Sequence, residues 1–179
     1  MSDPAGDTGA GGTSWRVANI VLIVVALMLV ATTVLFFTKG AAATPGASKA
    51  ETLSREYKQV SAAAKAETLA FLTVDHQNMD ALIAKVLKGA TGTFKTQYNQ
   101  AKVTLKASAE QSKATSTGKV LTVGISDIDD TDAVVFVAAN SQVTNSSTKG
   151  KPQPRYYRLK LTMLRKGDTW LTSNLQFVG

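Results

Sequence analysis

Ala133-Val134-Val135-Phe136-Val137-Ala138-Ala139 is the stretch on which the fold turns. It holds no polar side chain, and β-branched and aromatic residues dominate it, so it reads as a strand. Without polar alternation it is expected to be buried on both faces, the position of a central strand. Just upstream, Asp127-Ile128-Asp129-Asp130-Thr131-Asp132 is a turn that joins it to an earlier strand over 120–125. Downstream, a polar loop over 145–154 leads to a run in which Tyr157, Leu159, Leu161 and Met163 alternate with Tyr156, Arg158, Lys160 and Thr162. That period of two predicts a strand with one apolar and one polar face. Lys166-Gly167-Asp168 then makes a hairpin turn into a last strand over 170–178. The result is four antiparallel strands in a meander.

Before residue 114 the period changes. Leu53, Tyr57, Val60, Ala64, Thr68 and Phe71 recur at helical spacing from a cap near Ser48. Asp75-His76-Gln77-Asn78 breaks this helix. A second carries Met79, Leu82, Ile83, Val86 and Leu87 on one side and is expected to end on Gly89 as a C-cap. A third follows Thr91-Gly92, with Phe94, Tyr98, Ala101 and Leu105 on one face and Lys95, Lys102, Lys106 and Lys113 on a neighbouring one. No internal repeat is present. Three helices followed by a four-stranded antiparallel sheet make an α+β domain with helices on one face. A curved sheet wrapped over a long first helix is the cone of the cystatin-like and nuclear-transport-factor-2-like folds.

Further outward lies a run of another kind. Residues 17–37 carry no charge, and Asn19, Thr32 and Thr33 are their only polar side chains. As a helix they would span about 31 Å, against ~30 Å of hydrocarbon core. Their Val, Ile, Leu and Phe side chains favour insertion by ~4–8 kcal/mol. A transmembrane helix is therefore expected over 15–38, flanked by Trp15-Arg16 and Lys39 as interfacial anchors. Ala41-Ala42-Ala43 resembles a signal-peptidase site, but the apolar run exceeds the ~7–15 residues of a signal peptide, so a retained anchor is the reading. Residues 1–14 read as a disordered tail, 39–48 as a linker and 49–179 as the domain. Basic residues are more numerous after the span than before it, so charge alone leaves the topology open.

The chain has 20 Lys and Arg against 13 Asp and Glu, a net charge of +7, and most of its cations are Lys. Forked phosphate and base contacts favour Arg, so this balance suits a soluble lysine-rich surface better than nucleic acid. The absence of Cys removes disulfides, thiolate metal sites and cysteine nucleophiles. His76, the one histidine, has no partner at metal-ligand spacing and reads as an exposed loop residue. Asp127, Asp129, Asp130 and Asp132 lack the glycine and the downstream Glu of a calcium loop, so they read as a solvated turn with Asx hydrogen bonds. The lysine face of the third helix reads as solvated. Tyr156, Tyr157 and Trp170, beside Arg155 and Arg158, read as core aromatics rather than a base-stacking surface. The strand interiors are Val, Leu, Ile, Phe and Ala, and the acids collect in turns and on helix surfaces. No nucleophile elbow, phosphate loop or dinucleotide fingerprint occurs. No catalytic, cofactor-binding or metal residue is expected, nor enzyme activity.

The chain resembles the actinobacterial Mce-associated membrane proteins, small single-pass accessory proteins of mammalian-cell-entry (Mce) lipid importers. The resemblance rests on the anchor and the helix over 62–73. It continues through Val86-Leu87-Lys88-Gly89-Ala90-Thr91-Gly92-Thr93-Phe94, Tyr98 and the run 113–118. The strand 133–139, Val143-Thr144-Asn145, Tyr157-Arg158-Leu159 and Gly167-Asp168-Thr169-Trp170-Leu171 complete it. It implies a cytoplasmic N-terminus and an extracytoplasmic cone domain at the plasma membrane. The partners it implies are importer subunits, other membrane proteins and the lipid bilayer, with no nucleic acid. The implied role is to assemble or stabilise the importer. Two other readings share the architecture: a stand-alone lipid- or small-molecule-binding cone, and a type IV secretion-like assembly protein. The chain departs from the family in its flanking charges and its lysine content.

Overall fold

The computed structural model describes residues 45–179. The transmembrane helix expected over 15–38, the tail before it and the linker up to residue 44 lie outside the described residues. Among the described residues, no helix is long and apolar enough to cross a membrane. Three helices, α1 (Pro45–Leu72), α2 (Met79–Gly89) and α3 (Gly92–Ser112), precede the main strands. The strands are β1 (Val74–Asp75), β2 (Thr115–Ile128), β3 (Asp132–Thr144), β4 (Gln153–Lys166) and β5 (Thr169–Phe177). They form one antiparallel sheet in the order β1-β2-β3-β4-β5.

The sheet therefore has five strands rather than the expected four. The additional strand is the two-residue β1, in the segment read as a helix break. There Val74 pairs with Ser116 and Asp75 with Thr115. The His76 N–H continues the ladder by donating to the Ala114 carbonyl (3.0 Å). Chain leaving a helix carries backbone groups that need partners, and the edge of β2 supplies them.

The inner face of the sheet is the core. Ala133, Val135, Val137 and Ala139 on β3 line up with Leu159, Leu161 and Met163 on β4, and Val60, Ala64 and Leu72 of α1 pack onto them. β2 contributes Val120, Val123, Ile125 and Ile128 to the same cluster. Their spacing of three, two and three works because β2 carries an extra residue at Leu121 and again at Ser126. β5 carries a third bulge between its pairings to Thr162 and Met163, where the Ser173 hydroxyl donates to the Thr162 carbonyl (3.0 Å). At the far end of the core, Arg165 pairs with Glu56 of α1 (3.1 Å) and lies 5.9 Å over the Trp170 ring. The hairpin between β4 and β5 turns on Gly167 at φ 60°, as expected of that tripeptide.

Two helical expectations need correction. Leu53 and Tyr57 of α1 and Leu105 of α3, read as part of apolar faces, are exposed. Gly89 closes α2, but it is not among the residues with positive φ, so it is no left-handed cap. Its role is steric. A Cβ there would overlap the Glu67 carboxyl group.

Candidate functional site

β3 is central in the sheet, yet it is not buried on both faces. Its inner residues are covered, while Phe136 on the other face is 42% exposed. Register explains the arrangement. Phe136 stands opposite Gly124 on β2 and Lys160 on β4, and Asn140 stands opposite Tyr156. A Cβ on Gly124 would meet nothing within 4 Å, so the Phe136 ring has an open flank. Leu121, the bulge residue, is 53% exposed and Tyr156 is 76% exposed. Lys119, Arg158 and Lys160 accompany Phe136 and Tyr156 on the same side of the strands. This outer face combines two exposed aromatic side chains with three cations, the exposed Leu121 stands at the bulge of β2, and no helix among the described residues covers the face. Large exposed apolar groups gathered on one face mark interaction surfaces more often than scattered ones do.

The residues singled out in the sequence land elsewhere. The Asp129 carboxylate accepts from the Thr131 N–H (2.7 Å), the Asp132 N–H (2.8 Å) and the Thr131 hydroxyl (2.9 Å), which is the expected Asx turn. The two backbone donors and the hydroxyl hold its carboxyl below the ordinary carboxylate value. Among the described residues, no three metal-ligating side chains converge. His76 is half-buried rather than exposed, and its Nδ1 is shielded with no hydrogen-bond partner among the described residues. On α3, Lys106 pairs with Asp80 of α2 (2.6 Å), a hydrogen bond that raises its ammonium. Lys113 is the left-handed cap of the helix at φ 51°, while Lys95 and Lys102 are exposed. The aromatics separate by face: Tyr157 and Trp170 turn inward and Tyr156 outward.

Sequence reasoning missed Glu67. It lies on the buried side of α1, 4% exposed, and its Oε1 has no hydrogen-bond partner among the described residues. Burial pushes its carboxyl up to about 8. The signal was its place in the apolar stripe, seven residues after Val60 and three after Ala64. Gly89 makes room for it, and the next residues fix the corner. Ala90 bridges to Thr172 of β5, and the Thr91 N–H donates to the Thr172 carbonyl (2.8 Å). Gly92, at φ 51°, passes so close to Ser173 that a Cβ would sit 3.3 Å away. Phe94 then packs against Phe71 and Tyr98, with ring centroids 6.1 and 5.8 Å apart. Tyr98 is raised by burial first and by the Glu67 charge second.

Residues 15–179 match a protein family described as uncharacterized protein Rv1363c/MT1408-like. Uncharacterized protein Rv1363c of Mycobacterium tuberculosis (strain H37Rv) is 32% identical over 117 residues, covering 65% of this chain and 44% of that protein. The chain thus spans less than half the length of that relative. Among solved structures, an IcmL-like type IV secretion system protein from Legionella pneumophila superposes with a TM-score of 0.55 at 12% identity, covering 68% of this chain and 91% of that one. CagV, a VirB8 homolog from Helicobacter pylori strain 26695, gives 0.54 at 7% identity, covering 68% and 97%. The shared property is the fold, a nuclear-transport-factor-2-like cone of helices against a curled antiparallel sheet.

Proposed function

Because the chain belongs to the actinobacterial Rv1363c/MT1408-like family, whose match runs from residue 15 to the last residue, we propose that it is a membrane-anchored, non-catalytic accessory subunit. In this reading the run 17–37 holds the cone at the outer face of the plasma membrane. The outer face of the sheet then docks on subunits of a Mce-type lipid importer, the assignment that the sequence resemblance favours. The observation that carries docking is the uncovered group of Leu121, Phe136 and Tyr156. Fully covering an apolar side chain of this size is worth up to about 1.5–3 kcal/mol, and Phe136 and Tyr156 lie on one side of the sheet. The type IV secretion proteins that share the fold favour a second reading, an assembly subunit of a secretion machine.

The test is purification of the tagged full-length chain in mild detergent from its own host. Importer subunits are expected with the wild type and are lost with Phe136→Ser and Tyr156→Ser combined. Secretion subunits in their place would move the assignment to the second reading. Recovery of the chain alone would overturn docking altogether.

A further inference from the structure

The inner face of the sheet is longer than the helix that covers it. α1 stops at Leu72, while Val143, Tyr157 and Phe177 continue the inner rows of β3, β4 and β5 beyond it. They leave a cavity of about 260 Å³, walled by Phe71, Val74, Val143, Tyr157 and Phe177. Phe177 forms the rim. It is 62% exposed although it belongs to the inner row, and its ring lies 6.1 Å from both Phe71 and Tyr157. The walls are held in place: a Cβ on Gly118 would fall 2.8 Å from the Leu72 Cβ, so β2 runs hard against the end of α1. The cavity is therefore formed before anything enters it.

Its chemistry is selective. Among the described residues, no Lys, Arg, His, Asp or Glu lines it. Its polar side chains carry hydroxyls: Thr115, Ser116, and Tyr157 in a 3.3 Å contact with Ser141. The lining offers no counter-charge, so a carboxylate, phosphate or ammonium held against it would lose hydration without compensation, and the site favours an uncharged apolar group. The volume falls just below the ~300–1,000 Å³ that houses whole drug-sized ligands. Together, the apolar walls, the small volume and the exposed aromatic rim describe a slot for one end of an elongated apolar molecule.

We propose that this cavity binds a single hydrocarbon chain, whose polar head remains outside the rim at Phe177. The site is separate from the outer face, and neither depends on the other. The chain could come from a free fatty acid or from the acyl tail of a membrane phospholipid, and the test distinguishes the two.

The full-length chain, in nanodiscs of phosphatidylcholine, would be photolabelled with a palmitate carrying a diazirine near its methyl end. Adducts would be mapped by peptide mass spectrometry. Labelling is expected on the peptides containing Phe71, Tyr157 and Phe177. Unlabelled palmitate is expected to compete at least tenfold. If the site prefers phospholipid, a nanodisc lipid carrying the diazirine in its tail labels the same peptides and palmitate fails to compete. Val143→Trp fills the slot and is expected to cut labelling at least tenfold without lowering the melting temperature. Phe177→Ala, at the exposed rim, is expected to weaken it several-fold and guards against a folding defect in the first variant. Adducts spread over the outer face, or undiminished in both variants, would overturn the proposal. A peptide from a partner protein crosslinking at Phe177, with no lipid adduct, would overturn it too.

Discussion

Where α1 meets the end of α2, a carboxyl group lies out of water beside Gly89, with Tyr98 of α3 close enough to feel its charge. On the outer side of the sheet, an aromatic ring stands in water between a glycine and a lysine. Glu67 and Phe136 are each placed against hydrophobicity, in opposite directions, and the surroundings differ accordingly. Around Glu67 the fit is close: Gly89 gives the carboxyl its room, Ala90 bridges to Thr172, and Gly92 lies against Ser173. Around Phe136 the backbone is paired on both sides, but the ring is loosely packed, since Gly124 leaves open space beside it. A buried carboxyl group without a hydrogen-bond partner demands precise packing, whereas an exposed ring leaves surface for a partner. The first is a cost carried inside the fold and the second is surface held in reserve for an interface.

Glu67 carries the largest expected effect. Its carboxyl titrates near 8 in the fold against an ordinary value of 4.5. Between those values the unfolded chain gives up the proton and the native chain keeps it. The native state therefore binds more protons there, and stability falls as pH rises from about 4.5 to about 8, then levels off. Glu67→Gln removes this slope. The variant is expected to match the wild type near pH 4 and to exceed it above pH 8, with roughly 4–5 kcal/mol as the ceiling at ~1.4 kcal/mol per unit. Urea melts of the full-length chain at both ends of this range check it. A wild-type profile as flat as the variant's would mean that the carboxylate is ionised and satisfied in the fold.

Gly89→Ala is the next largest. The new methyl must displace the Glu67 carboxyl, and overpacking of this kind costs about 1–3 kcal/mol. In a Glu67→Ala background the obstacle is gone. The same change is then expected to be neutral or to stabilise by up to ~1 kcal/mol through helix propensity. A double-mutant cycle by thermal denaturation measures the coupling. Additive effects would show that Gly89 serves some purpose other than making room.

Phe136→Ser has the smallest expected effect, a loss of about 1 kcal/mol in a denaturant melt from strand propensity and the covered part of the ring. A loss beyond about 2 kcal/mol would mean that the ring is packed rather than waiting. Stability of the fold and recovery of partners should part company at this position and stay together at Glu67.

What the sequence disclosed follows from the range of the signal. Tyr157 to Met163 alternate and Gly167 follows a basic strand end, so β4 and its hairpin were legible from neighbours two residues apart. The Asx turn at Asp129 was legible from turn chemistry alone. β1 was not, because two residues carry no period. The bulges at Leu121 and Ser126 hide the single face shared by Val120, Val123, Ile125 and Ile128, since each extra residue resets the alternation. A uniformly apolar run such as 133–139 cannot announce which side is wet. Its partner could: Lys160 opposite Phe136 belongs to the polar face of β4, and cross-strand neighbours share a face. Glu67 was hidden differently. An acid invites assignment to the surface, and only the helical spacing from Val60 and Ala64 argues that it turns inward.

The same bulges govern how the molecule behaves in a crowd. β1 pairs with only the first two residues of β2, so most of that long strand is a free edge among the described residues. A straight free edge is a template on which another molecule can add a strand, and chains that stack this way grow into fibrils. The extra residues at Leu121 and Ser126 twist the edge out of register, and Lys119 places a charge on it. Deleting Leu121 and Ser126 together would straighten the strand, and the domain would trade curvature for polymerisation.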